Sequence, residues 1–232
     1  MDALSQVKAE NAPDYERICA TTTFRNAETE HWKKVVEKMY YPFSEEHGVF
    51  LQQHGFLDKE LIPVAELPAD HGPIVEHWSW DRSYIMQADI FQGFYFFENA
   101  FDLETLKRHC EFYEPLTVHE SSLSPCIYSI LAAKLGDHER AYAFYLRTAR
   151  LDLDDYNNDS CDGLHITSMA GTWMSIVKGF AGMCVVDNQL TFNPFLPKTW
   201  TCFSFKIRFR GEVKKVVMDK DGLRVDEVVG HS

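Results

Sequence analysis

The stretch TVHESSLSP, residues 117–125, puts a histidine, a glutamate and three serines into one short segment. Hydroxyls and imidazoles donate hydrogen bonds to oxyanions, and serine is also a leading helix N-cap. Ser121 and Ser122 stand just before an apolar helical pattern. The backbone N–H groups of a first helical turn lack intrahelical partners and suit an anion. Capping alone and an anion cradle both account for these two serines. A second polar cluster, DDYNNDSCDGLHITSMAG (154–171), carries His165 between Asp162–Gly163 and Thr167–Ser168. His165 is suited to donate to an anion or a sugar hydroxyl, and a hydrogen-bonded structural histidine is the plain alternative.

Two more clusters complete the set. In HWSWD (77–81), Trp78 and Trp80 alternate and would face the same way in an extended segment. Stacking on a sugar ring and core packing are both open to them. In MQAD (86–89), Gln87 and Asp89 suit either helix capping or hydroxyl binding. Asp154 and Asp155 read as a carboxylate pair or as a solvated helix end. His119 and Glu120, taken with His165, would be a metal set, but no HExxH or other ligand spacing supports it. Together these residues permit binding of a polyol and an oxyanion, and none stands out as a general acid.

The elements that must hold these clusters are mostly helical. Trp32, Val35, Val36 and Met39 recur at helical spacing, predicting a helix over 30–40 with one buried face. Residues 42–85 are aromatic-rich without a period, as functional loops often are. Helices are then expected over 87–98, from the N-cap Asp102 to Glu111, and from Ser122 or Ser124 to Leu135, with Gly136 as the stop. Asp137 should cap the next, through Leu153, and a further one should span 166–183. After these the period changes to two. Phe203, Phe205, Ile207 and Phe209 alternate with Ser204, Lys206, Arg208 and Arg210, predicting a half-buried strand. EVKKVVM and LRVDEVV follow as strands joined by a DKDG turn. All four polar clusters sit at helix edges, so helices that end together would gather them at one mouth.

Bulk properties narrow the function. The chain has 232 residues, 45% of them hydrophobic, which suits a folded domain. Its net charge of −12 argues against nucleic acid and against an anionic membrane surface. No apolar run is long enough to cross a bilayer, and the polar start MDALSQVKAENAP does not read as a signal peptide. The six cysteines include no CxxC pair, so they are expected to be reduced small hydrophobes in a cytoplasmic protein.

YEPLTVHESSLSP, TARLDLDDYNNDSCDGLHITSMAGTW and FNPFLPKTW resemble the C-terminal part of glycoside hydrolase family 65. HGVFLQQHGFLDKELIPVAEL, HWSWD and QADIFQGFYFFE fit the same family in the same order, so the likeness covers almost the whole chain. The resemblance implies a mainly α fold: part of an (α/α)6 barrel, built of helical hairpins, over residues 1–190, then a small antiparallel β C-terminal domain over 191–232. It implies inverting phosphorolysis of an α-glucoside, with maltose indicated among the family's disaccharides, giving β-glucose 1-phosphate. No cofactor is implied, only inorganic phosphate as co-substrate. Carried over by position, Ser121, Ser122 and His165 match phosphate-binding elements. Trp78, Asp81 and Gln87 match positions around the glucose pocket, and Glu120 lies in the matched motif.

Two departures qualify the match. The family's general acid sits in a Gly-Pro-Asp-Glu-Tyr-His motif that does not occur in this sequence. The resemblance would place it upstream of Met1. The family's Lys-Gln-Ala-Asp is here Met86-Gln87-Ala88-Asp89, and the segment from Trp80 to Gln87 is short for the family. The isolated chain is therefore expected to be inactive and poorly soluble, with a homodimer or an N-terminal partner chain covering its apolar faces. A degenerate sugar- and phosphate-binding protein and a subunit completing a split barrel are the alternatives.

Overall fold

The computed structural model describes residues 2–67, 84–86, 89–119, 121–156 and 158–228. The chain divides into two compact units, Met1–Pro42 and Phe43–Ser232. The first holds three helices, α1 (Asp2–Glu10), α2 (Ala12–Thr22) and α3 (Asn26–Lys38). Asn11 caps α2, its side chain accepting from the Asp14 N–H at 3.2 Å. The start of α3 lies four residues before the sequence-based estimate, because Glu28 reaches back to the Arg25 N–H at 2.9 Å. Its apolar stripe is a correction to the sequence reading. Val36 and Met39 are 67% and 49% exposed, and Trp32, which packs on Phe24, is 38% exposed. Helices α1 and α2 are largely polar and bring little apolar surface to cover that stripe.

The second unit opens with a two-strand hairpin, β1 (Phe43–Ser44) and β2 (Val49–Phe50), and two short 3-10 turns. Five helices follow: α4 (Asp89–Phe96), α5 (Leu103–Tyr113), α6 (Ser124–Lys134), α7 (His138–Ala149) and α8 (Ile166–Met174). The expected Asp102 cap is present, accepting from Thr105 N at 2.7 Å. The α6–α7 hairpin also forms as expected. Gly136 takes φ +80°, and the Gly136 and Asp137 N–H groups return to the Ala133 and Ala132 carbonyls, both at 3.0 Å. Asp137 then caps α7 through Arg140 N. The serine caps expected for α6 are not made. Leu123 is the N-cap residue, and Ser124 is buried inside the first turn. Helix α8 stops at Met174 and widens into a π-helical turn, Ser175–Phe180, while α7 ends at Ala149, short of the expected Leu153.

Helix α6 is apolar all round and lies in the middle of the unit, with every residue from Ser124 to Ala133 buried. Its polar side chains are satisfied locally, Ser129 Oγ donating to the Ala141 carbonyl at 2.8 Å. One core cluster joins its Tyr128 and Leu131 to Phe91 and Tyr113. Tyr113 OH donates to the Phe50 carbonyl at 2.7 Å and accepts from Gln52 N at 3.0 Å, which pins the β2 hairpin to α5.

The C-terminal part is antiparallel β. Strands β3 (Cys184–Val186) and β4 (Gln189–Thr191) form a hairpin the sequence reading missed. Its two-residue turn, Asp187–Asn188, has both φ values positive, the geometry that twists strands together. Strands β5 (Cys202–Phe209), β6 (Glu212–Asp219) and β7 (Gly222–Glu227) make a meander in the order β5-β6-β7. The predicted alternation holds in β5: Phe203 is buried, Ser204, Lys206 and Arg208 are exposed. Phe203 joins Phe180, Phe195 and Ala133 in a second core cluster that seats the sheet on the helices. All six cysteines are free; Cys126 is buried, and Cys161 and Cys202 are exposed.

Candidate functional site

Helices α6 and α8 run side by side in the same direction. A Cβ on Gly171 would lie 2.8 Å from Cys126 Cβ, and one on Gly179 would lie 3.5 Å from Ile130 Cα. Positions rising along one helix meet positions rising along the next, so the two N-termini open at the same end. Helix α7 runs back between them in sequence, and its C-terminal Thr148 carbonyl accepts from Ser168 Oγ at 2.8 Å. The loop before α6, the loop after α7 and the start of α8 therefore converge. Two of the four polar clusters lie in these loops, and Met86 of a third is tied to them by Ser121 N–H donating to its carbonyl at 3.4 Å.

The loop before α6 is held from beneath. Ile85 pairs with Thr117 as a parallel bridge. Thr117 Oγ1 donates to the Tyr113 carbonyl at 2.8 Å and so accepts from Tyr128 OH at 2.7 Å. His119 takes a left-handed φ of +57° and turns its ring inward, where it is 8% exposed. Nδ1 lies 3.0 Å from Ser124 Oγ, and the ring packs edge-on against Tyr128. Burial and the nearby Arg147 guanidinium push its pKa down to about 3, so it is a neutral core histidine. Arg147 Nη2 donates to the His119 carbonyl at 2.8 Å while its guanidinium lies over the Tyr156 ring, linking the two loops. His119 turns its ring onto Ser124 and Tyr128, and Glu120, the third residue of the metal reading, lies outside the described residues.

Ser121 and Ser122 are half-buried at the head of α6. The first-turn amides an anion cradle would use are largely engaged. Leu123 N donates to Ser121 Oγ at 3.2 Å, Ser124 N donates to the Ser121 carbonyl at 3.2 Å, and Pro125 has no N–H. What this turn offers an anion is therefore its hydroxyls more than its backbone.

His165 is the N-cap residue of α8, with its side chain 25% exposed. Asp152 grips it twice: Oδ1 lies 2.6 Å from Nδ1, and Oδ2 accepts the His165 backbone N–H at 3.0 Å. Asp159 Oδ2 lies 3.4 Å from Nε2. The Asp152 hydrogen bond, helped by the charge on both carboxylates, raises the His165 pKa above its ordinary 6.5. The same contact lowers that of Asp152. The Asp154–Asp155 pair is structural. Asp154 forms a two-point ion pair with Arg150, and Asp155, at φ +49°, accepts from Ser160 N at 2.9 Å.

Sequence reasoning missed Arg147, Asp152 and Asp159. Asp152 is thirteen positions from His165, across a loop with no period to read. Trp78, Trp80, Asp81, Gln87 and Glu120, proposed from sequence as sugar contacts or motif members, lie outside the described residues.

Similarity to known proteins extends over nearly the whole chain. The glycosyl hydrolase family 65 central catalytic domain matches residues 1–174, and the family's C-terminal domain matches 183–231. Maltose phosphorylase of Bacillus subtilis is 48% identical over 89% of this chain. Alpha,alpha-trehalose phosphorylase of Thermoanaerobacter brockii is 39% identical over 96% of it. A solved kojibiose phosphorylase-like protein from the human microbiome superposes with a TM-score of 0.84 at 33% identity, over 98% of this chain and 32% of that one. The chain spans 28% and 29% of the two curated relatives. With both family domains matched in order and a solved relative sharing its helical body and β tail, the chain belongs to glycosyl hydrolase family 65.

Proposed function

We propose that the chain is the phosphate-side part of a maltose-phosphorylase-like enzyme. The reaction is inverting phosphorolysis, maltose and phosphate giving β-glucose 1-phosphate and glucose. Inversion needs a proton for the leaving oxygen and a nucleophile on the opposite face of the sugar. Phosphate is already an anion, so one acid suffices and a second carboxylate is replaced by donors that hold phosphate. What supports this reading is that Ser121 and Ser122 stand just before α6 and His165 just before α8, two helices that pack in the same direction. In the same reading Trp78, Asp81, Gln87 and Glu120 contact the sugar, residues 1–190 supply part of the barrel, and 191–232 form the C-terminal β domain. The higher identity to maltose phosphorylase than to trehalose phosphorylase supports maltose as the disaccharide.

The family's general-acid motif, Gly-Pro-Asp-Glu-Tyr-His, does not occur in this sequence, and in this reading these residues by themselves release no glucose 1-phosphate from maltose and phosphate. Proton donation is worth roughly 10²–10⁴-fold alone. Turnover by the purified chain would refute this. A second reading, a subunit that completes a barrel with a homodimeric copy or an acid-bearing partner chain, is favoured by the exposed stripe Ile166, Met169 and Trp173 on α8. Activity that appears only on mixing with such a partner would distinguish it. A non-catalytic sugar- and phosphate-binding protein is favoured by Met86, where the family pattern has lysine. Saturable phosphate binding without turnover under either condition would select it.

A further inference from the structure

The two carboxylates beside His165 are held differently. Asp152 is 12% exposed, contacts Nδ1 at 2.6 Å and also takes the backbone N–H of the same residue. That is a short charge-assisted bond reinforced by a second, and it fixes both ring position and ring rotation. Asp159 is 38% exposed and approaches Nε2 at 3.4 Å, beyond a good hydrogen bond. Its loop is anchored by the backbone, Asp159 N donating to Asp155 Oδ1 at 3.1 Å, which leaves the carboxylate itself the looser part.

Given the phosphate reading of His165, on which this inference rests, we propose that Asp152 is a positioning residue that directs His165 Nε2 at the anion, and that the Asp159 carboxylate holds the same nitrogen until the anion displaces it. An ionised Asp152 accepts only, so Nδ1 carries the proton in the neutral ring. Nε2 then gains a proton, and becomes a donor, only when the ring is charged. The Asp159 carboxylate stabilises that charge before an anion arrives and is exchanged for phosphate when it does. Asp152 and Asp159 thus act on anion affinity with opposite signs, although both are acidic neighbours of one imidazole.

The test is nitrogen NMR of His165 in the whole chain, with inorganic phosphate as the probe. In phosphate-free wild type, at a pH where the ring is neutral, the signature should be the Nδ1–H tautomer; an Nε2–H tautomer would overturn the inference without any variant. Asp152→Asn should lose that signature and weaken phosphate binding about tenfold or more. Asp159→Asn should keep it and, at a pH low enough that the ring is charged in every protein compared, tighten phosphate binding by roughly threefold or more, since a competing charge is gone. Equal affinity in all three proteins, or weaker binding in Asp159→Asn, overturns the proposal while leaving His165 as a phosphate ligand. A wild-type His165 signal that phosphate does not move overturns the phosphate reading as well.

Discussion

His119 makes acid stability a direct readout of how the anion loop is built. Its ring is almost fully buried against Tyr128 and Phe144, with a pKa pushed from 6.5 down to about 3 by burial and by Arg147. The folded state therefore holds it neutral, while the unfolded chain protonates near 6.5. The stability this contributes is complete above 6.5 and is lost as pH falls from 6.5 toward 3. One pKa unit corresponds to about 1.4 kcal/mol, so crossing the full window would cost on the order of 5 kcal/mol. His119→Asn removes the titration and tolerates the left-handed backbone. At pH 7.5 the variant should be less stable by about 1–3 kcal/mol from lost ring packing. Urea melts at pH 7.5, 6.5, 5.5 and 4.5 on both proteins provide the assay. The gap should close by about 1.4 kcal/mol per pH unit below 6.5. Carboxylates titrate in both proteins and cancel in the difference. Two stability curves that stay parallel from pH 7.5 to 4.5 would refute the buried, neutral assignment.

Other consequences follow from the same geometry. Gly171→Ala puts a Cβ where Cys126 Cβ is 2.8 Å away, so it should cost about 1–3 kcal/mol in urea melts by prising α8 from α6. Sulfate, whose charge is constant across neutral pH, should bind at His165 below the ring's raised pKa and be lost as pH rises through it; affinity independent of pH from 5.5 to 9 would contradict a donor role for Nε2. Met86→Lys, adding a cation to the residue whose carbonyl accepts from Ser121 N–H, should tighten phosphate binding severalfold by calorimetry.

Local signals carried much of the fold. Asp102, Gly136 and Asp137 act as written because a cap or a stop is decided by two or three neighbouring residues. The β5 alternation held for the same reason. The reading failed where the deciding partner was remote. The α3 stripe has the right spacing, but spacing says nothing of what covers a face. Ser122 and Ser124 look like caps, yet His119 and the buried α6 interior take Ser124, and Ser121 supplies the turn. His165 was legible as a polar residue in a rich loop. Its partner Asp152 was not, because only the fold joins the end of α7 to the start of α8. The hairpin at Asp187–Asn188 was missed, although Asp and Asn both tolerate the positive φ its turn adopts.

Phosphate binding itself tests the central claim most directly. Calorimetric titration of inorganic phosphate into the wild-type chain at pH 6.5, beside a Ser121→Ala/Ser122→Ala double variant and His165→Ala, compares the two helix starts in one experiment. Saturable binding to wild type, weakened by both variants, is the result predicted for one anion site formed where α6 and α8 begin. Binding that survives both sets of substitutions unchanged, or wild-type protein that takes up no phosphate, would contradict it.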